Sequence, residues 1–546
     1  MTKDQSFNRL TVILAVLAAV AIVVTGLLGA APARAATVTK PVTVSLTFDD
    51  GDADQMPAAQ VLQQNGLTGT FYIITGYLNA PGYMQQSDLA TLAAAGNEIG
   101  GHSVTHPDMS ALSQAEAQRQ ACQSRATLSS WGYTVRSFAY PFAESTTKTR
   151  DAVRACGYTS ARGLGDVQTP YDCTGCVTAE TLPPRNAMLT RAPSQVEADW
   201  TLADLQKQVT QAKTDRGGWV QLTFHHISDD SSLDPTTSPA LFAQFAQWLA
   251  AYSADPANAT TVKTVGDAVG TPVQPVVQSP VPGPAAPGVN AVQNPSFQTT
   301  SSTSPSGQKC WQYGGYGSNT AAFSTVSPGR TGTTTKATSL TVSDYTDGDA
   351  KWLPTFDLGD CAPTVVAGHT YSLREYYKAN TVTQFTVYLR DSTTGSWHYW
   401  TSSPWYASAT TWTQAVWTTD QIPAGFNGIS FGLNLFTNGT LTTDDVAAYD
   451  TVGAPPLATT TTTTNSATTS AKTSSSVSRI APAVDALAVR SRAVLGQLDT
   501  SGMASPLDTP AQPAAPAQLA GPSVPALAAP APAAPTAPAA PGTIGR

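Results

Sequence analysis

The run Val42-Thr43-Val44-Ser45-Leu46-Thr47-Phe48, followed at once by Asp49-Asp50-Gly51, decides how this chain reads. Apart from Ser45 the first seven residues are β-branched or apolar, and the run predicts a strand. Two adjacent carboxylates then stand at the strand terminus and repel each other. A nearby cation relieves that cost, because an opposite charge favours the ionised form. Gly51 permits a tight turn directly after them. The bland reading is an Asp-rich turn. Neighbouring residues point in different directions. One carboxylate can therefore hold a metal while the other faces a water, which supplies the parts of a hydrolytic site.

Outward from this strand, residues 40–270 read as one α/β domain. Helix patterns at 56–65, 87–95 (capped by Ser87), 113–131, 147–156 and 241–252 alternate with short strand patterns at 69–74, 98–100, 137–140, 158–161 and 219–224. One or more further helices are expected within 193–214. This alternation predicts parallel strands in βα units; a barrel and an open sheet are not separable by pattern alone. Four of the six histidines fall here, as His102 with His106 and His225 with His226. On a helical turn a four-residue spacing points both imidazoles to one side. Neutral imidazoles suit zinc and similar ions, and Asp50 would complete a two-His-one-carboxylate site with room for water. Local hydrogen bonding of these histidines is the competing reading. His225 ends a strand pattern. Alternation sends His225 and His226 to different sides, and the sequence does not say which faces inward.

The whole chain of 546 residues is poor in charge, with 29 basic against 37 acidic residues, and has no basic stripe for phosphate, which argues against a nucleic-acid partner. Lys3 and Arg9 precede an apolar run that ends in Ala33-Arg34-Ala35, so residues 1–35 read as an export signal cleaved after Ala35. An uncleaved anchor competes, since the run is about as long as a membrane span. The mature chain is expected to be secreted, extracellular or bound to the cell wall, with no lasting membrane span. Six cysteines fit an oxidising compartment. Cys310–Cys361 is the natural bridge of the second half. The first four cysteines allow three connectivities, of which Cys122–Cys156 with Cys173–Cys176 is favoured. A Cys-x-x-Cys is also a redox or zinc motif, but no further thiol pair remains to complete a zinc site. Residues 271–288 form a Pro-rich linker. Residues 289–454 carry Thr- and aromatic-rich short strands and predict a β-sandwich. Residues 455–546 are a Thr/Ser-rich and then Ala/Pro-rich low-complexity tail, with one short helix pattern at 480–498.

Thr47-Phe48-Asp49-Asp50-Gly51 and His102-Ser103-Val104-Thr105-His106, in this order, resemble the first two motifs of the polysaccharide deacetylases of the NodB-homology type, carbohydrate esterase family four. Phe138-Ala139-Tyr140-Pro141-Phe142 and Leu222-Thr223-Phe224-His225 look like its later motifs. The resemblance implies a distorted (β/α) barrel over 36–270. It implies a divalent metal, zinc above all, held by Asp50, His102 and His106, with Asp49 as base and His225 as acid. It also implies that a metal-activated water attacks an acetamide carbonyl, with the backbone N–H of Phe142 or a neighbour aiding the oxyanion. Many members pair the base with an arginine where Ala139 stands here. Arg162 is the favoured substitute and Arg136 the lesser one.

Tyr140, Pro141 and Phe142 are the candidates for substrate contact; most other aromatics of this domain are expected in the core. The sandwich resembles a jelly-roll carbohydrate-binding module, which would give a second glycan contact. Its Trp397–Tyr406 cluster, in a loop-like context, either stacks on sugar or builds core. Asp444 and Asp445 are a candidate calcium pair. Three functions stay open: N-deacetylation of a GlcNAc-containing polysaccharide such as peptidoglycan or a chitin-like chain, O-deacetylation of a polysaccharide such as acetylxylan, and non-catalytic glycan binding.

Overall fold

A computed structural model describes residues 40–457 apart from 280, 303 and 305. The export segment, the low-complexity tail from 458 and its helix pattern lie outside the described residues. Among the described residues no helix is long and apolar enough to cross a membrane.

The first half is a ring of parallel strands wrapped by helices. In chain order these are β1 (Val42–Phe48), α1 (Met56–Gln64), β2 (Gly69–Ile73), α2 (Gln86–Ala94), β3 (Glu98–Gly101), α3 (Gln114–Ser130), β4 (Ser137–Ala139), α4 (Thr147–Ala155), β5 (Ser160–Arg162), α5 (Leu202–Asp215) and β6 (Gly218–Phe224). There follow β7 (His226–Ile227), β8 (Thr236–Thr237), α6 (Pro239–Ala254), β9 (Thr260–Val262) and α7 (Val265–Val269). The parallel order is β5-β4-β3-β2-β1-β6, and β9 pairs with the first half of β1. Among the described residues no regular strand joins β5 to β6. An irregular segment bridges them instead: Thr190 pairs with Arg162 of β5, and Glu180 with Trp219 of β6. The result is a distorted (β/α) barrel, which settles the choice between barrel and open sheet.

Strand β1 is buried along its whole length, although its sequence alternates. Val42, Val44, Leu46 and Phe48 pack outward in the core beneath α1 and α6, where Phe48 stacks on Phe71 with centroids 4.5 Å apart. Thr43, Ser45 and Thr47 are buried too. Ser45 Oγ donates to the Lys263 carbonyl at 2.7 Å and accepts from Trp219 Nε1 at 3.0 Å, while Thr47 shares a hydrogen bond with Thr223. The polar face of the strand therefore meets hydrogen-bonding partners rather than solvent. Helix α3 is capped by Ser113, the first residue of its sequence pattern, whose Oγ accepts the Glu116 N–H. Helix α2 does not start as expected. Gln85 is its cap, in a reciprocal pair with Asp88, and Ser87 lies inside the helix. Within 193–214 a single helix forms, α5.

The second half is a sandwich of two five-stranded antiparallel sheets. Its strands are β10 (Trp311–Tyr316), β11 (Thr320–Val326), β12 (Ala337–Ser343), β13 (Asp349–Pro354), β14 (Tyr371–Ala379), β15 (Gln384–Asp391), β16 (Trp397–Ser402), β17 (Ala409–Thr418), β18 (Phe426–Leu435) and β19 (Gly439–Asp450). The sheets run β10-β13-β18-β15-β16 and β11-β12-β19-β14-β17 and share one apolar core. Two sequence expectations change here. Residues 397–402 form strand β16 rather than a loop, and Trp397 is fully buried against Phe356, so it offers no exposed face. Asp444 and Asp445 are engaged by protein: the Arg330 backbone N–H donates to Asp444 at 2.7 Å, and the Arg330 guanidinium pairs with Asp445. All six cysteines are bridged, as Cys122–Cys156, Cys173–Cys176 and Cys310–Cys361.

Candidate active site and metal centre

The chemistry-bearing residues lie at the carboxyl ends of the parallel strands, where such folds gather function. Strand β1 delivers Asp49 and Asp50, β3 leads into His102 and His106, β5 ends in Arg162, and β6 runs into His225. Asp50 has φ 73° and Gly51 φ 80°, so the chain turns sharply and the two carboxylates diverge.

Asp50 Oδ1 lies 3.3 Å from His102 Nε2 and 3.4 Å from His106 Nε2. That oxygen is buried and has no hydrogen-bond partner. His102 Nδ1 is 2.8 Å from the Ala139 carbonyl, which requires the proton on Nδ1 and leaves Nε2 as a lone-pair donor. Three donor atoms thus sit within 4.8 Å of one another. One carboxylate and two imidazoles suit zinc and similar divalent ions and leave positions open for other ligands. Burial alone would raise the Asp50 carboxyl, but His106, His102 and His225 outweigh it and hold it far below the usual carboxylate range. Burial pushes the His106 imidazole down to about 4, so it is neutral and able to coordinate near neutral pH.

The two histidines are not on a helical turn. They sit in an irregular loop in which Ser103 has φ 66° and His106 φ 53°. The loop is held by hydrogen bonds: Ser103 Oγ accepts the His106 N–H at 2.9 Å, and Gln120 of α3 accepts the N–H groups of Val104 and Thr105 at 3.0 and 3.1 Å. Tyr77 donates to the Thr105 carbonyl at 2.9 Å.

Asp49 faces away from this centre. Its Oδ2 accepts a hydrogen bond from Arg162 Nη2, with both side chains buried, and His225 Nε2 stands 4.0 Å from the same oxygen. Asp49 Oδ1 is buried without a hydrogen-bond partner. Arg136, the other candidate, instead pairs with Asp267 at 2.7 Å. Of the adjacent histidines His225 faces this cleft, and His226 turns to Asp54 at 2.9 Å. Burial pushes the His225 imidazole below its ordinary range, more strongly than Asp50 and Asp49 raise it.

The three candidates for substrate contact divide. Tyr140, a candidate for substrate contact, is buried, and its hydroxyl donates to the Met188 carbonyl at 2.9 Å. Pro141 is buried as well. Phe142 is 39% exposed, and its ring lies 4.6 Å from that of His106, so it alone of the three presents a face beside the cleft. Phe142 and Ala143 both have positive φ, 57° and 58°, a strained pair at the cleft rim. One participant escaped the sequence reading. Gln55 Nε2 donates to the backbone carbonyls of Asp49 at 2.5 Å and His225 at 3.0 Å, and so pins the ends of β1 and β6 together. A glutamine in a helix-start pattern carries no sequence signal for that role.

Residues 36–161 match the family model described as polysaccharide deacetylase. A gellan lyase from a Bacillus species is 31% identical over 194 residues, which are 34% of this chain and 7% of that much longer protein. Among solved structures, a family 4 carbohydrate esterase from Streptomyces lividans in complex with acetate is similar with 19% identity and a TM-score of 0.28, over 41% of this chain and 92% of the other. The Bacillus subtilis peptidoglycan deacetylase PdaC is similar with 16% identity and a TM-score of 0.25, over 42% and 90%. The CE4 domain of a xylanase from the hindgut metagenome of Trinervitermes trinervoides is similar with 17% identity and a TM-score of 0.28, over 42% and 89%.

Proposed function

We propose that this protein is a zinc-dependent hydrolase that removes N-acetyl groups from an extracellular GlcNAc-containing polysaccharide, of the peptidoglycan or chitin-like kind. The observation that carries the proposal is the side-by-side placement of Asp49, tied to Arg162 and 4.0 Å from His225, and the donor set of Asp50, His102 and His106. The match of residues 36–161 to polysaccharide deacetylases supports the same reaction class. The export-like N-terminus and the three disulfides support a site of action outside the cell.

When bound by Asp50, His102 and His106, a divalent cation supplies Lewis-acid polarisation of the amide carbonyl and of a water. The chain does the rest. Arg162 neutralises and orients Asp49, leaving Oδ1 to accept the proton of the attacking water. The backbone N–H of Phe142, at the cleft rim, is the donor assigned to the developing oxyanion. His225 donates a proton to the departing nitrogen; burial makes its imidazolium a stronger acid than an exposed one. An amine leaves far less readily than an alcohol, so the acid is what separates amide from ester hydrolysis.

The test is acetate release from chitooligosaccharides, peptidoglycan and acetylxylan, with zinc supplied and after chelation. N-acetyl hydrolysis that chelation stops and zinc restores is expected. His225→Ala should slow the amide substrates by about a hundredfold or more and an ester much less. Release that persists after chelation sinks the metal mechanism. Release from acetylxylan alone makes the protein an O-acetyl esterase, and inactivity on all three with metal present makes it a glycan-binding protein.

A further inference from the structure

A second group of potential ligands lies next to the first and is not used by the reaction above. It is built from Asp52, Asp54 and His226. Asp54 belongs to a single 3-10 turn, Ala53–Gln55, that follows the Asp49–Gly51 bend, and His226 opens β7 immediately after His225. His226 Nδ1 is 2.9 Å from Asp54 Oδ2 and 3.5 Å from Asp52 Oδ2. The donor atoms of all three lie within 4.8 Å of one another.

Two features distinguish this group from an ordinary acidic surface. Asp52 is 5% exposed, and its Oδ2, the atom aimed at His226, is buried without a hydrogen-bond partner. Among the described residues no lysine or arginine ion pair reaches Asp52 or Asp54. Among the described residues His226 is the one basic side chain paired with Asp52. Asp54 and His226 keep partial exposure, their side chains 28% and 22% accessible, which leaves an entry path.

We propose that Asp52, Asp54 and His226 form a second divalent-metal site, selective for ions that accept mixed carboxylate and imidazole ligands, such as zinc or manganese, over magnesium or calcium. His226 Nδ1 would coordinate in place of its bond to Asp54, so uptake releases any proton held there. The ion would brace the turn after Asp50 against the segment that carries His225.

The test is metal content of the full chain after equilibrium dialysis against micromolar zinc, read by mass spectrometry, with folding checked by circular dichroism. The proposal expects about two zinc ions per chain in the wild type and about one in each of two variants, Asp54→Asn/His226→Gln and His102→Gln/His106→Gln. The second variant keeps the new group intact, so a folding failure in the first does not remove the test. If His102→Gln/His106→Gln binds none while the wild type binds one, the group is a proton-held cluster and the proposal is overturned. A wild type that binds none overturns it as well. If His102→Gln/His106→Gln keeps the wild type's only ion and Asp54→Asn/His226→Gln loses it, this site stands and the reading of Asp50, His102 and His106 fails.

Discussion

Asp49 and Arg162 are 3% and 2% exposed, so each is the other's counter-charge in a place that water hardly reaches. Removing one partner of such a pair strands the other and costs more than the pair itself contributes. Arg162→Met should therefore destabilise the chain by about 3–5 kcal/mol in denaturant unfolding. The double variant Asp49→Asn/Arg162→Met should regain part of that loss while remaining inactive; a double variant no more stable than Arg162→Met would mean that Arg162 acts through packing on Tyr72 instead. In the sandwich, Glu375 is a buried carboxyl of the opposite kind. Burial raises it from 4.5 to about 8, more than the Leu433 N–H it accepts lowers it. A folded-state value above the unfolded one means stability that is complete below about 4.5 and lost as pH rises through about 8. Glu375→Gln should flatten the decline in the sandwich's melting temperature between about pH 5 and 8, and an unchanged slope would assign the decline to other groups. At this scale the sequence was informative where a motif is contiguous, as in residues 47–51 and 102–106. It pointed to Arg162 only through a missing arginine at position 139. It was silent on Gln55, whose second partner His225 lies 170 positions away, and on the carbonyl of Ala139, 37 positions from His102.

Strand β3 illustrates what element-level pattern carries and what it omits. Its Glu-Ile-Gly-Gly sequence reads as a weak strand, yet its two glycines are steric requirements. A Cβ on Gly100 would meet the Tyr72 ring at 2.5 Å, and one on Gly101 would meet Tyr158 Oη at 2.1 Å. Two aromatic side chains thus close over the backbone just before His102. Gly101→Ala should cost about 1–3 kcal/mol through overpacking. Gly101→Ala/Tyr158→Phe, which removes the clashing oxygen, should recover part of it in thermal unfolding; no recovery would place the strain in the backbone instead. The histidine loop that follows was misread because a four-residue spacing is equally served by a helical turn and by a loop with two left-handed residues. Only the partners of its N–H groups, Ser103 and Gln120, decide between them. Alternation in β1 signalled a strand but not double burial, since nothing local indicates that a second wall covers the polar side.

Across the molecule, α3 is the shared beam between the barrel and the sandwich. Gln120, which holds the histidine loop, donates to Glu116 at 3.1 Å. Glu116 in turn accepts the Leu358 N–H at 3.2 Å and Arg119 Nε at 2.6 Å, and Arg119 reaches Asp357 and the Leu358 carbonyl. A continuous hydrogen-bonded chain therefore runs from the His102–His106 loop into the second domain. Arg119→Ala leaves the Glu116 and Asp357 carboxylates facing each other without their cation. It should split a joint unfolding transition into two and weaken the zinc binding proposed at His102 and His106 relative to an exposed variant of the same helix, such as Gln114→Ala. A single transition with unchanged zinc affinity would show that the domains are merely adjacent. The sequence announced two domains and a linker between them, but not this contact, which rests on residues more than 200 positions apart.

The start of that linker is itself fastened. Arg125 of α3 donates to the carbonyls of Gln274 at 2.6 Å and Pro275 at 2.8 Å. Two arginines, six positions apart on one helix, thus clamp the outgoing chain and the incoming domain to the same side of the barrel. The sandwich is thus moored to the barrel at two points of one helix, and the span between those points, rather than the length of the linker, sets how far the two can part.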